Sequence, residues 1–187
     1  MERLTSKQIL FKVSMVLATF TVAWLGGLST IYTDWAWYEN LNKPSFNPPN
    51  YLFGIVWPIL YLLMAIVSFL NAQKIYRLYL MQLCLNGIWS WIFFVFNGLG
   101  LAFLNIVVLV LLNVLIAREL RVKGAWLSFS LYLPYLLWIT FAAILNLSPD
   151  HIERHSTIQK YIKAKFKLLK NQSKKNLAFV KKNDPLI

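Results

Sequence analysis

From the amino end, the chain alternates long apolar runs with short polar interruptions. Five runs, at residues 8–31, 51–72, 78–96, 101–117 and 125–147, are nearly free of charge. Each is close to the ~20 residues that carry an α-helix across roughly 30 Å of hydrocarbon. Lys12 alone carries charge inside a run, and its long stem predicts that it snorkels toward an interface. The pattern predicts an all-α membrane protein: a five-transmembrane-helix bundle crossing the bilayer in multiple passes. The first run is too long for the core of a cleaved leader and reads as a retained span.

Between the spans the polar segments are short, with connections expected at residues 74–77, 97–100 and 118–124. The first connector, residues 32–50, is the exception. It carries "WYENLNKPSFNPPN", crowded with aromatics, amides and Pro44, Pro48 and Pro49. Each proline fixes its own φ and restricts the residue before it, so this is a stiff segment, long enough to fold over one mouth of the bundle.

Polar positions inside the spans carry the next signal. Within lipid an amide must find a protein partner or face a cavity, so intramembrane amides mark the interior. In the third span Gln82, Asn86 and Ser90 step by four and share one helix face. Trp57, Tyr61 and Ser68 do so in the second span, and Tyr135, Trp138 and Ala142 form a stripe in the fifth. Two readings of these stripes stay open. In one, amides bridge helices at ~0.6 kcal/mol each and aromatics fill a solid core. In the other, the three helices surround a mostly apolar pocket with a few polar anchors, the usual form of a small-molecule site. Pro58 and Pro134 lie within spans and free backbone carbonyls, which suits a cavity wall. Asn105 and Asn113 are expected to bridge helices, and Cys84 to be a buried packing residue.

Charge changes the picture at one end. The net charge is +12, and residues 150–187 supply +7 of it, with ten Lys/Arg against three Asp/Glu. A basic tail beside a span suggests anionic lipid headgroups and not nucleic acid. Ile158, Tyr161, Ile162, Phe166 and Leu169 recur at helical spacing opposite lysines, so residues 157–170 read either as an interfacial amphipathic helix or as a solubilising tail. The expected division is a 1–149 transmembrane domain and a 150–187 basic tail, partly helical and partly disordered. Loop charges place the amino terminus in the cytoplasm, while the tail lysines argue the reverse.

Catalytic chemistry is sparse. His151 and His155 are spaced i,i+4 without a third strong ligand nearby, so no metal site is expected. No intramembrane carboxylate offers a proton relay, and neither a phosphate-binding glycine loop nor a Ser/His/Asp set is present.

Three stretches resemble the TspO/MBR family, which includes the tryptophan-rich sensory proteins and the translocator protein, or peripheral benzodiazepine receptor. They are "WYENLNKPSFNPPNYLFGIVWPILYLLM", "QLCLNGIWSWIFF" and "LPYLLWITFAAILN", in the family's order and spacing. The resemblance implies a membrane receptor, sensor or translocator that binds porphyrins or sterol-like ligands in a cavity closed by the first loop, commonly as a homodimer. Porphyrin is implied as a ligand, with no cofactor required. By motif, Tyr38, Pro48, Trp57, Asn86, Trp138 and Ala142 would line the cavity; Tyr61 and Ser90 join them from the stripes above. Trp37, Lys43 and Phe46 would form an aromatic lid, with Lys43 meeting either a lipid headgroup or a ligand propionate. The resemblance implies two alternatives: light- and oxygen-dependent porphyrin breakdown with Trp57 or Trp138 as the oxidised indole, or transport of sterol or lipid. It also implies the cell membrane of a bacterium or the mitochondrial outer membrane of a eukaryote. Two departures stand out. Phe46 replaces a family tryptophan, and the sterol-recognition tyrosine after the fifth span is missing.

Overall fold

The computed structural model describes residues 5–41 and 43–146, all within one compact unit, Met1–Leu147. The tail expectations, including the amphipathic helix, its lipid contacts, His151 and His155, lie outside the described residues. Among the described residues every regular element is helical.

Helix α1 spans Ser6–Ser29. It starts with a reciprocal cap: the Thr5 hydroxyl accepts from the Gln8 amide, and the Gln8 side chain accepts from the Thr5 N–H at 2.9 Å. Two donors that a helix start would leave orphaned are thereby satisfied. A 3₁₀ turn at Thr30–Tyr32 follows, then a short helix α2, Trp35–Glu39, capped by the Asp34 carboxylate on the Trp37 N–H at 3.1 Å. The stiff connector therefore contains a turn of helix of its own.

Helix α3, Asn50–Phe94, is 45 residues long. Straight, it would extend for roughly 67 Å, twice a bilayer core. It is folded back on itself. Tyr79 donates to the Met64 carbonyl at 3.1 Å and Tyr61 to Asn86 at 2.7 Å, contacts that only two antiparallel arms can make. The reversal sits at Asn71, whose φ of −123° and ψ of 17° leave the helix for one residue. Its side-chain amide donates to the Val67 carbonyl at 3.2 Å and to the Ser128 hydroxyl at 2.7 Å. The two arms, residues 50–70 and 72–94, are the second and third spans. Residues 74–77, expected as their connector, are helical instead. Lys74 and Arg77 mark where the chain meets water, and a helix crosses that depth without unwinding.

Asn97, at φ 51°, closes the second arm in the left-handed conformation, and the Gly98 N–H returns to the Ile92 carbonyl at 2.9 Å. That six-residue return bond satisfies a carbonyl the helix end would strand. Helix α4 spans Leu99–Val122 and α5 spans Trp126–Asn146. Residues 118–122, expected in a loop, belong to α4, and Gly124 at φ 69° makes the turn into α5. The four long helices are each apolar enough to cross a membrane; with α3 counted as two passes, the bundle has five.

α1 packs on α3, α3 on α4 and α5, and α4 on α5. α1 packs tightly at Gly87, where a Cβ would stand 3.2 Å from Val22 Cγ1. Outward positions such as Leu10, Leu17, Leu104, Leu111 and Leu137 are large, apolar and exposed, as a lipid-facing surface requires. Lys12 sets its ammonium 5.3 Å from the Phe69 ring centroid, a contact that offsets part of its desolvation. Cys84 is exposed, against the expectation of a packing role. It lies on the far side of its arm from Gln82, Leu83 and Asn86, which are buried.

Candidate functional site

The polar stripes meet at the centre of the bundle. Tyr61 of the first α3 arm donates to Asn86 Oδ1 at 2.7 Å, Asn86 Nδ2 donates to the Tyr135 hydroxyl at 2.6 Å, and Tyr135 donates to Gln82 Oε1 at 2.9 Å. The chain runs one way, each group giving its hydrogen to the next. It ends at Gln82 Nε2, which is buried and has no partner among the described residues. A parallel link joins α5 to α4, where Tyr132 donates to Asn113 Oδ1. Asn113 bridges helices as expected. Asn105 does not do so through its carbonyl oxygen, which is buried without a partner among the described residues.

Above this ladder the bundle opens. A cavity of about 470 Å³ lies between α1, α2 and the two α3 arms. α1 and the turn after it contribute Phe20, Ala23, Gly26, Gly27, Ser29 and Thr30. The first α3 arm supplies Asn50, Phe53, Gly54, Trp57, Pro58 and Tyr61, and the second Trp89, Ser90 and Phe94. Trp35 and Tyr38 of α2 complete the wall; three residues apart, they share one face of the short helix. Small residues make the space. A Cβ at Gly26 would sit 3.5 Å from Ser90 Oγ and 3.7 Å from the Tyr61 hydroxyl, in ordinary contact with both, so this glycine lies beside the polar ladder. Pro58 has no N–H to offer the Gly54 carbonyl, and both residues face the space.

The connector is fastened over this region by aromatic contacts. Tyr38 is buried, packing on Phe93 and Phe94 with centroids 6.4 and 5.8 Å away. Trp37 meets Phe93 edge-on at 5.9 Å. Lys43 places its ammonium 3.7 Å from the Tyr38 ring centroid. Burial raises the pKa of the Tyr38 phenol, with a hydrogen bond from Asn47 pulling the other way. Burial lowers that of Lys43, opposed by nearby Glu39. Phe46 reaches toward α5 instead, 6.3 Å from Phe141, and is largely exposed.

Of the residues singled out from sequence, the structure gathers Tyr38, Trp57, Tyr61 and Ser90 in the cavity wall. It sets Pro48, Asn86, Trp138 and Ala142 outside that wall. Asn86 is one hydrogen bond away, holding Tyr61 in place. Trp138 packs edge-on against Phe53 at 5.8 Å and beside Phe141 at 6.0 Å, backing a wall residue from behind. The Ala142 carbonyl accepts from Asn146 at 2.9 Å within α5. The wall thus comes from spans one, two and three, where the stripes had pointed to two, three and five. Trp37, Lys43 and Phe46 lie in the connector without lining the space; Trp35 does so. Trp35, Trp89 and the α1 residues are additions that the stripes did not mark. The Gly26-Gly27 pair was their only visible signal.

Residues 15–149 match the TspO/MBR family pattern, a stretch that contains the whole cavity wall. The Mur ligase middle domain pattern matches residues 133–187, of which the described part is most of α5, inside the same bundle. Among similar proteins, the protein CrtK of Rhodobacter capsulatus is 35% identical over 132 residues, covering 66% of this chain and 82% of that one. The tryptophan-rich protein TspO of Archaeoglobus fulgidus is 34% identical, over 74% of this chain and 94% of its own. The human translocator protein is 33% identical, over 59% and 70% respectively.

Proposed function

The chain belongs to the TspO/MBR family, and from that premise we propose that this membrane sensor or translocator takes a flat apolar molecule, a porphyrin foremost, into the cavity beneath its first connector. The observation that carries the reading is the wall itself. Its volume falls within the ~300–1,000 Å³ of small-molecule sites, and each of its four sides contributes aromatic rings. Trp57 leans on Tyr61 with centroids 5.6 Å apart, so its indole is held as a stacking surface. Good aromatic pairs add roughly 0.5–1.5 kcal/mol beyond area burial. The connector acts as a lid whose prolines reduce the entropy lost when it closes. Lys43, at the outer face of Tyr38, meets a carboxylate that the apolar interior excludes.

Titration of the purified protein with protoporphyrin IX in the dark tests this through saturable quenching of tryptophan fluorescence. Trp57→Ala is expected to weaken binding roughly tenfold, while Trp138→Phe, behind the wall, changes it less than about threefold. Quenching that never saturates, or equal losses in both variants, counts against the site. The position of Trp57 also favours a second reading, light- and oxygen-dependent breakdown of bound porphyrin. Bleaching at equal rates with and without protein excludes it.

A further inference from the structure

Charge is unevenly divided between the two ends of the bundle. Of the eight lysines and arginines among the described residues, only Lys43 lies at the end that holds the cavity, in the connector with Asp34 and Glu39. The other seven sit where α1 begins, where α3 bends and where α4 turns into α5. Among the described residues that end has one acid, Glu119, and Lys123 already holds it at 2.8 Å.

The cations of α1 and of the bend come together. Phe11 meets Tyr76 edge-on at 5.7 Å, and the Lys12 ammonium stands 5.3 Å from the Phe69 centroid. Residues 11 and 12 of α1 therefore touch α3 on both sides of the Asn71 bend. Lys7 lies one turn before Phe11 on the same helix face, and Lys74 and Arg77 flank Tyr76 in the chain. Four cations thus border one aromatic contact, and neither stretch, residues 5–12 or 69–77, contains an acid. Lys12 is half-buried inside its span, and a ring face replaces only part of the water it has lost. Arg77 donates through Nε to the Tyr76 hydroxyl at 2.9 Å. That bond steadies the guanidinium and leaves its two terminal nitrogens, a fork that suits a phosphate. Deeper along the same two helices Val13, Leu17, Leu62 and Ile66 are apolar and exposed, a surface for acyl chains. An anion matching this surround carries its charge at headgroup depth and its apolar chains beneath, as a phospholipid does and a soluble phosphate does not.

We propose that the start of α1 and the bend of α3 form a seat for one anionic phospholipid, its phosphate held by Lys12 and Arg77 with Lys7 and Lys74 around it. The seat is at the opposite end of α1 from the cavity and does not depend on what the cavity binds. Any basic rim attracts anionic headgroups diffusely. A seat differs in that the identity of the cations removed matters, and not only their number.

Native mass spectrometry of the full chain released from mixed micelles gives dissociation constants for dioleoyl phosphatidylglycerol and dioleoyl phosphatidylcholine. The two lipids share their chains and differ in net charge. The wild type is expected to prefer phosphatidylglycerol by at least about tenfold, the effect of charge-assisted hydrogen bonds. Lys12→Gln/Arg77→Gln should bring that preference below about threefold. Lys7→Gln/Lys74→Gln, at exposed positions where folding is not at stake, should lower it by about threefold. Arg118→Gln/Arg121→Gln removes the same charge from the same end. In ~0.15 M salt, which screens distant surface charges, it should leave the preference within about twofold of the wild type. Equal losses from the Arg118/Arg121 variant and the other two would mean diffuse attraction and overturn the seat, as would a wild type with no preference. Excess inorganic phosphate should fail to displace phosphatidylglycerol; displacement would overturn the assignment to a lipid.

Discussion

Asn86 shows how much one side chain can organise. Its oxygen takes the Tyr61 hydrogen and its nitrogen gives one to Tyr135, tying both α3 arms to α5 at one buried point. Asn86→Leu removes both bonds and leaves two phenols facing each other with fewer partners. The expected cost is about 1–3 kcal/mol, read as a lower unfolding midpoint in detergent. Cys84→Ser, on the exposed face of the same arm, should stay within about 0.5 kcal/mol. At this scale the sequence was informative about direction. Gln82 and Asn86 point inward as their four-residue step required. It was less informative about purpose, because a solid polar ladder and a ligand wall demand the same residue types at the same spacing. Tyr135 and Asn86 proved to be ladder, whereas Trp57 and Tyr61 face open space. Only the position of a neighbouring helix separates the two cases.

Among the elements, the hairpin in α3 is the hinge of the fold. Asn71 interrupts the helix and fastens the bend to Ser128 on α5. Asn71→Ala loses both side-chain bonds, with an expected destabilisation of about 1–2 kcal/mol. Ser128→Ala should cost less, since Asn71 keeps its bond to the Val67 carbonyl. Equal losses from both variants in thermal unfolding would mean that the Val67 bond contributes nothing. The number and approximate limits of the spans were legible because apolar length is dictated by the bilayer. The turns were less so: charged residues record depth in the membrane, and helices here run past them at 74–77 and 118–122. The part α1 plays in the cavity was hidden for a different reason. Gly26 and Gly27 shape the space by having no side chain, and a missing group leaves no periodic mark.

At the scale of the whole molecule, the bundle divides into a hydrogen-bonded lower core, where α3, α4 and α5 meet, and an aromatic upper chamber between α1, α2 and the α3 arms. The first gives rigidity, and the second leaves room under a stiff lid. The central claim is that a guest occupies this chamber. Gly54 offers the most direct test, since it borders the space and no side-chain or distant backbone atom lies within 4 Å of where its Cβ would be. Gly54→Phe fills the void without a backbone clash. Dark titration of this variant with protoporphyrin IX should show affinity reduced at least about tenfold, or ~1.4 kcal/mol, with an unfolding midpoint no lower than that of the wild type. Wild-type affinity in the filled variant would contradict the account.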